Sequence, residues 1–340
     1  MKKVFIFILI MMLLTGCNNK YQNKKVAKET FLLGTLVKIS IYGKDVKDED
    51  FKPIFSLISD LENKVSKNIK ESEISKLNSN TNHNIQVSQD VFNIIKKGLY
   101  YSKISEGKFD LSIAPLVELW GIGTENAKVP KEDEIDKAIS KINYKNIKLD
   151  EKDMTISLLK DTKIDLGGIA KGYIADKVAE FFKDNDIEHG VINLGGNILT
   201  VGQKPNGDLW KIGIQNPFKS RGEKIGMVSI DQKSVVTSGI YERYLEKDGI
   251  RYHHILNPFT GYPVKNNLAS VIIISNYSVD GDGLSTVAFS KGLKDGLKFI
   301  ETIDNTDAIF ITKDKEIYLT SGAKKIFKLM DNSFKIKYNK

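Results

Sequence analysis

A single cysteine, Cys17, stands directly behind a short apolar run, and it limits what this chain can fold into more than any other feature. One thiol in 340 residues permits no intramolecular disulfide and no Cys-based zinc or iron–sulfur site. The fold must therefore be held by its core, and any metal must sit on oxygen or histidine ligands. With 41% hydrophobic residues there is enough apolar material for such a core. The 51 Lys and Arg against 43 Asp and Glu give a mild basic bias. Most of that excess is scattered lysine, so no nucleic-acid footprint is present and no nucleic-acid partner is expected.

Lys2 and Lys3 precede the apolar run Val4 to Leu14. That run is too short for the roughly 20 residues of a membrane-spanning helix and suits the core of a signal peptide. It ends in Leu14-Thr15-Gly16-Cys17, which resembles a bacterial lipobox, where the Cys would be lipidated and become the mature N-terminus. The competing reading is an ordinary small-residue cleavage site that happens to hold a Cys. We expect a signal peptide over 1–16, a polar lipid-anchored tether over 17–28 and one folded unit over 29–340. The expected location is exported, anchored by acyl chains to the outer face of the cell membrane or to a periplasm-facing membrane.

Within the body, Phe31 to Tyr42 alternates up to Gly43 and predicts a strand, while Phe51, Ile54, Phe55, Ile58, Leu61 and Val65 recur at helical spacing. Ser88 is a plausible N-cap for a helix reaching about Ser105, and a third helix is expected over Lys131 to Ile142. From Ile147 onward, short β-branched runs, Lys163 to Leu166 and Val271 to Ser275 among them, are interrupted by helical stretches at about 169–184 and 283–302. The class is α+β, with largely antiparallel sheets flanked by helices.

Four segments carry chemistry. In Lys163 to Tyr173, KIDLGGIAKGY, a run ending at Asp165 meets two glycines and then a helix start, an anion-binding arrangement to which Lys171 adds a cation. It is neither a Walker A loop nor a GxGxxG fingerprint, and a tight turn with an incidental Lys is the competing reading. Asp280 to Thr286, DGDGLST, is no EF-hand, because its fifth position is Leu284 and its twelfth Lys291. As a helix opening it would put Asp282 and Thr286 one turn apart, able to converge on a hard cation such as Mg²⁺, or it would leave Asp282 as a helix cap. His253 and His254 should point to opposite faces of a strand. Trp120, between an apolar stretch and Gly121, could stack on a heterocycle or be an ordinary core aromatic.

The order of these segments resembles the ApbE family, the FAD:protein FMN transferases, over nearly all of the mature chain. The matching pieces are LGT at Leu33 to Thr35, SEISKLN at Ser72 to Asn78, GKFDLSIAPLVELWG, DLGGIAKGY, NLGGNI at Asn193 to Ile198, TSGIYERY at Thr237 to Tyr244, HHILNPFTGYP and DGLST. Departures are Leu33 where the family usually has Met, Asn197 and Asn257 where Asp is common, and Gly283 in place of Ala. The resemblance implies an ApbE-like, T-fold-related architecture and an enzyme that uses FAD as substrate. Such an enzyme attaches FMN through a phosphoester to a Thr or Ser of an exported acceptor protein and releases AMP. It further implies Mg²⁺ held by Asp282, Thr286 and the carbonyl of Gly168, with Ser285 nearby. FAD would be bound by Leu33, Leu119, Trp120, Gly121, Asp165, Lys171 and Leu256, and His254 would act as general base with His253 facing away. A Mg²⁺-dependent FAD pyrophosphatase and a non-enzymatic, lipid-anchored FAD-binding protein are the two alternatives that share these features.

Overall fold

The computed structural model describes residues 24–337. At its centre lie nine strands, numbered β1 to β9 along the chain and adjacent in that same order. They are Lys24–Leu32, Thr35–Gly43, Gly190–Leu194, Asn197–Val201, Ser234–Gly239, Leu268–Ser275, Asp307–Thr312, Glu316–Leu319 and Lys335–Lys337. Neighbours run antiparallel except β8 and β9, which are parallel.

Strand alternation divides the interior in two. Along β6, Val271 and Ile273 enter a core on one face of the sheet, and Ile272 and Ile274 enter a second core on the other. Ala308 and Phe310 oppose Ile309 and Ile311 in the same way on β7. Because both faces are covered, these strands read as continuous apolar runs. The second core is closed by a three-stranded sheet of Trp210–Gln215, Lys224–Ile230 and Phe327–Leu329. The helices, α1 to α9, are Phe51–Val65, Glu73–Ser79, Gln89–Ile104, Ala114–Trp120, Glu132–Ile139, Ala170–Asp184, Ser278–Lys291, Leu293–Ile300 and Ala323–Ile326. Among the described residues no helix is long and apolar enough to cross a membrane.

The helix spacing of α1 and the Ser88 cap of α3 appear as the sequence predicts. Elsewhere the structure corrects the reading. The run Phe31 to Tyr42 is broken by a two-residue turn, with Leu33 at φ 56° and Gly34 at φ 65°, so it becomes the hairpin β1–β2. Leucine is a poor signal for such a turn, which favours Asn or Gly. Residues 24–28, assigned to the tether, are the first half of β1. Lys163 to Leu166 belongs to no sheet: the side chain of Asn78 donates to the Ile164 carbonyl at 2.9 Å and accepts its N–H at 2.8 Å, in place of a strand partner. The helix expected over 283–302 is two helices, parted at Gly292 with φ 79°, and the first of them begins earlier, at Ser278. Helices α2 and α4 and the hairpin Tyr244–Lys247/Ile250–His253 are short elements that the periodicity did not reveal.

Candidate active site

Two helices that cross at a glycine build the site. Gly172 lies in the first turn of α6, and a Cβ there would sit 2.4 Å from the Ser278 carbonyl oxygen and 2.6 Å from the Val279 Cα of α7. Only glycine lets the helices approach this closely. Each helix then caps the other. Asp176 of α6 accepts the N–H groups of Ser278 and Val279 at 2.7 and 2.9 Å, and Asp282 of α7 accepts the N–H of Gly172 on Oδ2 at 2.9 Å. Burial pushes the Asp176 carboxyl up to about 7 despite those two N–H donors.

Asp282 thus serves the neighbouring helix. It sits in the interior of α7 and does not cap that helix. It is only 6% exposed, and no Lys, Arg or His pairs with it among the described residues, so the Gly172 N–H leaves a buried carboxylate short of positive charge. Thr286 follows one turn later, with its Oγ1 3.8 Å from where a Cβ on Gly168 would stand. Gly168, Asp282 and Thr286 therefore converge. No group of three His, Cys, Asp or Glu side chains that could hold a metal ion exists among the described residues. The available donors are one carboxylate and neutral oxygens, which fit a hard cation that keeps waters and takes ligand phosphate oxygens, and do not fit zinc. Ser285 does not join them. It is fully buried, donates to the Asp282 carbonyl at 2.9 Å and pairs with Ser238 of β5 at 2.8 Å, so its hydroxyl is turned toward the sheet. Ser238, within the TSGIYERY segment, is a site neighbour that no sequence signal singled out.

The glycine turn before α6 is shaped by Asp165, whose Oδ1 accepts the Gly167 N–H at 2.6 Å while Oδ2 pairs with Lys67 at 3.0 Å. Lys171, partly buried in the first turn of α6, forms no ion pair among the described residues. His254 follows directly after the strand Ile250–His253. Burial, above all, lowers its imidazole to about 4, and the charges of Arg243 and Lys171 act in the same direction. Its Nδ1 lies 3.1 Å from the Arg243 carbonyl. A carbonyl can only accept, so Nδ1 carries the proton and Nε2 keeps its lone pair. His253 points the other way, as the alternation predicts: it is buried edge-on against Phe289, with Nε2 3.0 Å from the Val264 carbonyl.

The remaining expected residues sit elsewhere. Trp120 is fully buried, its ring N–H donating to the Gly261 carbonyl at 2.7 Å between Tyr252 and Tyr262. A ring so enclosed cannot stack on a heterocycle, and the core reading of Trp120 holds. Leu256 is buried in the same satellite cluster, Leu119 packs against it, and Gly121 ends α4 in the left-handed conformation with φ 57°. Leu33 lies in the β1–β2 turn, and just beyond it the β3–β4 turn reaches β2, where the Gly195 N–H donates to the Leu36 carbonyl at 3.1 Å. Asn197, at the start of β4, accepts from Ser278 at 2.5 Å, so both turns lie at the sheet end where α7 begins. Cys17 lies outside the described residues.

Comparison with known proteins gives these positions a context. The model of the ApbE family matches residues 33–310, and that of the prokaryotic membrane lipoprotein lipid attachment site matches residues 1–18. The chain is 36% identical over 316 residues to an FAD:protein FMN transferase of Klebsiella pneumoniae (strain 342), covering 92% of this chain and 98% of that protein. To the FAD:protein FMN transferase of Treponema pallidum (strain Nichols) it is 28% identical over 351 residues, with 98% and 97% covered. Among solved structures, the ApbE protein of Thermotoga maritima superposes with a TM-score of 0.83 at 31% identity, over 89% of this chain and 99% of that one. The flavin transferase ApbE of Vibrio cholerae superposes at 0.80 and 26% identity, again over 89% and 99%.

Proposed function

This chain belongs to the ApbE family and is an FAD:protein FMN transferase, and from that premise we propose how its site divides the work. The observation that carries the reading is the 2.9 Å bond from the Gly172 N–H to Asp282, which holds a buried carboxylate against the anion-binding turn. The glycine turn at Gly167 and Gly168, set at the N-terminus of α6, and the Lys171 ammonium receive the pyrophosphate of FAD. Asp282, Thr286 and the Gly168 carbonyl would hold Mg²⁺. When bound there, the cation would neutralise pyrophosphate oxygens and the charge that develops on the AMP leaving group.

The acceptor is a Thr or Ser hydroxyl of an exported protein. Nε2 of His254 takes its proton as the oxygen attacks the FMN phosphorus. The phosphoester bond forms, the bond to the bridging oxygen breaks, and AMP departs with that oxygen. Asp165 acts by fixing the glycine turn. Leu33, Leu119, Gly121 and Leu256 bound the region where the rest of FAD lies, and Trp120 supports it from the core. Cys17, within the lipoprotein attachment match, carries the lipid that anchors the enzyme on the outer face of the membrane.

Incubating the purified protein with FAD, Mg²⁺ and a candidate acceptor tests the reading. Covalent flavin fluorescence on the acceptor, with AMP released, is expected. AMP with free FMN would make it a pyrophosphatase, and no turnover would make it a flavin-binding protein.

A further inference from the structure

Three hydroxyls behind the proposed cation site form a chain whose proton directions are fixed by counting. Ser285 Oγ lies 2.9 Å from the Asp282 carbonyl oxygen and 2.8 Å from Ser238 Oγ, and Ser238 Oγ lies 3.4 Å from Thr286 Oγ1. That makes three contacts served by three hydroxyl protons, with one end, the carbonyl, able only to accept. Ser285 must donate to the carbonyl. Ser238 then donates to Ser285, because water cannot serve the fully buried Ser285 hydroxyl. That leaves the Thr286 proton as the one available to the longer, part-buried contact between Thr286 and Ser238.

We propose that Ser238 is a positioning residue which, with Ser285 behind it, draws the Thr286 proton toward β5 and so turns the lone pairs of Thr286 toward Gly168 and the cation. The inference rests on the cation reading above and deepens it. It assigns Ser285 to the support of a ligand, and it explains why a serine follows Thr237 on a strand that α7 packs against. Hydrogen-bonded partners of metal ligands of this kind typically change metal affinity by about 10- to 100-fold.

The test is Mn²⁺ titration of the purified protein, read by loss of the free-ion electron paramagnetic resonance signal, with thermal melting as the folding control. Ser238→Ala should weaken Mn²⁺ binding about tenfold without lowering the melting temperature by more than a few degrees, and Ser238→Thr, which keeps the hydroxyl, should bind within about threefold of the parent. Because Ser238 acts through Thr286, the double variant Ser238→Ala/Thr286→Ala should bind no more weakly than Thr286→Ala alone. Additive losses, or Ser238→Ala binding like the parent while Asp282→Ala abolishes binding, would overturn the role of Ser238 and leave the cation site standing. A parent protein that binds no Mn²⁺ overturns the cation site and this proposal together.

Discussion

At the residue scale, the two adjacent histidines differ only in which way the chain turns them. Burial holds both imidazoles at about 4, so both are neutral near pH 7. His253 donates from Nε2 to the Val264 carbonyl and leaves Nδ1 buried without a partner, out of reach of a substrate, whereas His254 keeps its acceptor at Nε2. His254→Ala should lower FMN transfer by about 100-fold or more with FAD still bound, while His253→Ala should cost stability before rate. Steady-state transfer and melting curves on both variants separate the two roles. A base that titrates near 4 also predicts that the acid limb of transfer lies well below 6.5, and the parent should keep more than half its rate at pH 5.5. The sign for stability is the same. Between 6.5 and about 4 the unfolded chain binds more protons at these histidines than the folded one, so they favour folding less as the pH falls through that window. Asp176, raised to about 7, opposes this over the carboxylate range.

Asp282 and Thr286 give a second prediction at this scale. The carboxylate is the one anionic group of the proposed cation site, and the hydroxyl is neutral. Asp282→Ala should abolish turnover while FAD still binds at reduced affinity, and Thr286→Ala should be milder and partly rescued by raised Mg²⁺. Turnover against Mg²⁺ concentration, with a chelator control, checks both.

At the scale of elements, α7 is packed tightly on several sides and depends on its glycines. Gly281 faces Val236 of β5, Gly283 faces the Tyr101 ring of α3, and Gly172 of α6 meets the first turn of α7. A Cβ on Gly283 would stand 2.5 Å from that ring, which is a local reason for glycine where the family usually has alanine. Tyr101 is itself held by hydrogen bonding to Asp280, which also pairs with Lys97 at 2.6 Å. Gly283→Ala should cost about 1–3 kcal/mol through overpacking. Gly172→Ala should cost at least as much, since it presses on backbone, and should also cut transfer by pulling the Asp282 carboxylate away from the α6 amides. Denaturant midpoints and transfer rates measured below the melting range distinguish lost stability from a displaced site.

At the scale of the whole molecule, the chain enters the fold at Lys24, the end of β1 farthest from the Leu33 turn. Nine residues of strand span about 30 Å. A lipid anchor at Cys17, as proposed, would join the chain to the end of β1 opposite the turns that lie next to α7. Cys17→Ala should incorporate no labelled palmitate and should leave the protein soluble or unprocessed, with transfer to a soluble acceptor unchanged when the folded part is purified. Label entering that variant would refute Cys17 as the lipid site.

Local order in the sequence is enough to reveal the lipoprotein attachment site with its lone Cys, the amphipathic α1, the Ser88 cap, the opposition of His253 and His254, and the motif series that marks the family. Each follows from spacing along a few residues. Tertiary structure alone decided the rest. The function of Asp282 depends on Gly172, a partner 110 positions away, and the start of α7 depends on Asp176, which lies on a different helix. Trp120 was ambiguous until Tyr252, Tyr262 and Gly261 closed around it, and Ser238 was invisible until β5 brought it beside Ser285 and Thr286. Helix periods and caps act within a few residues, whereas the burial of a charge and the direction of a hydroxyl are set by atoms that become neighbours only once the chain has folded.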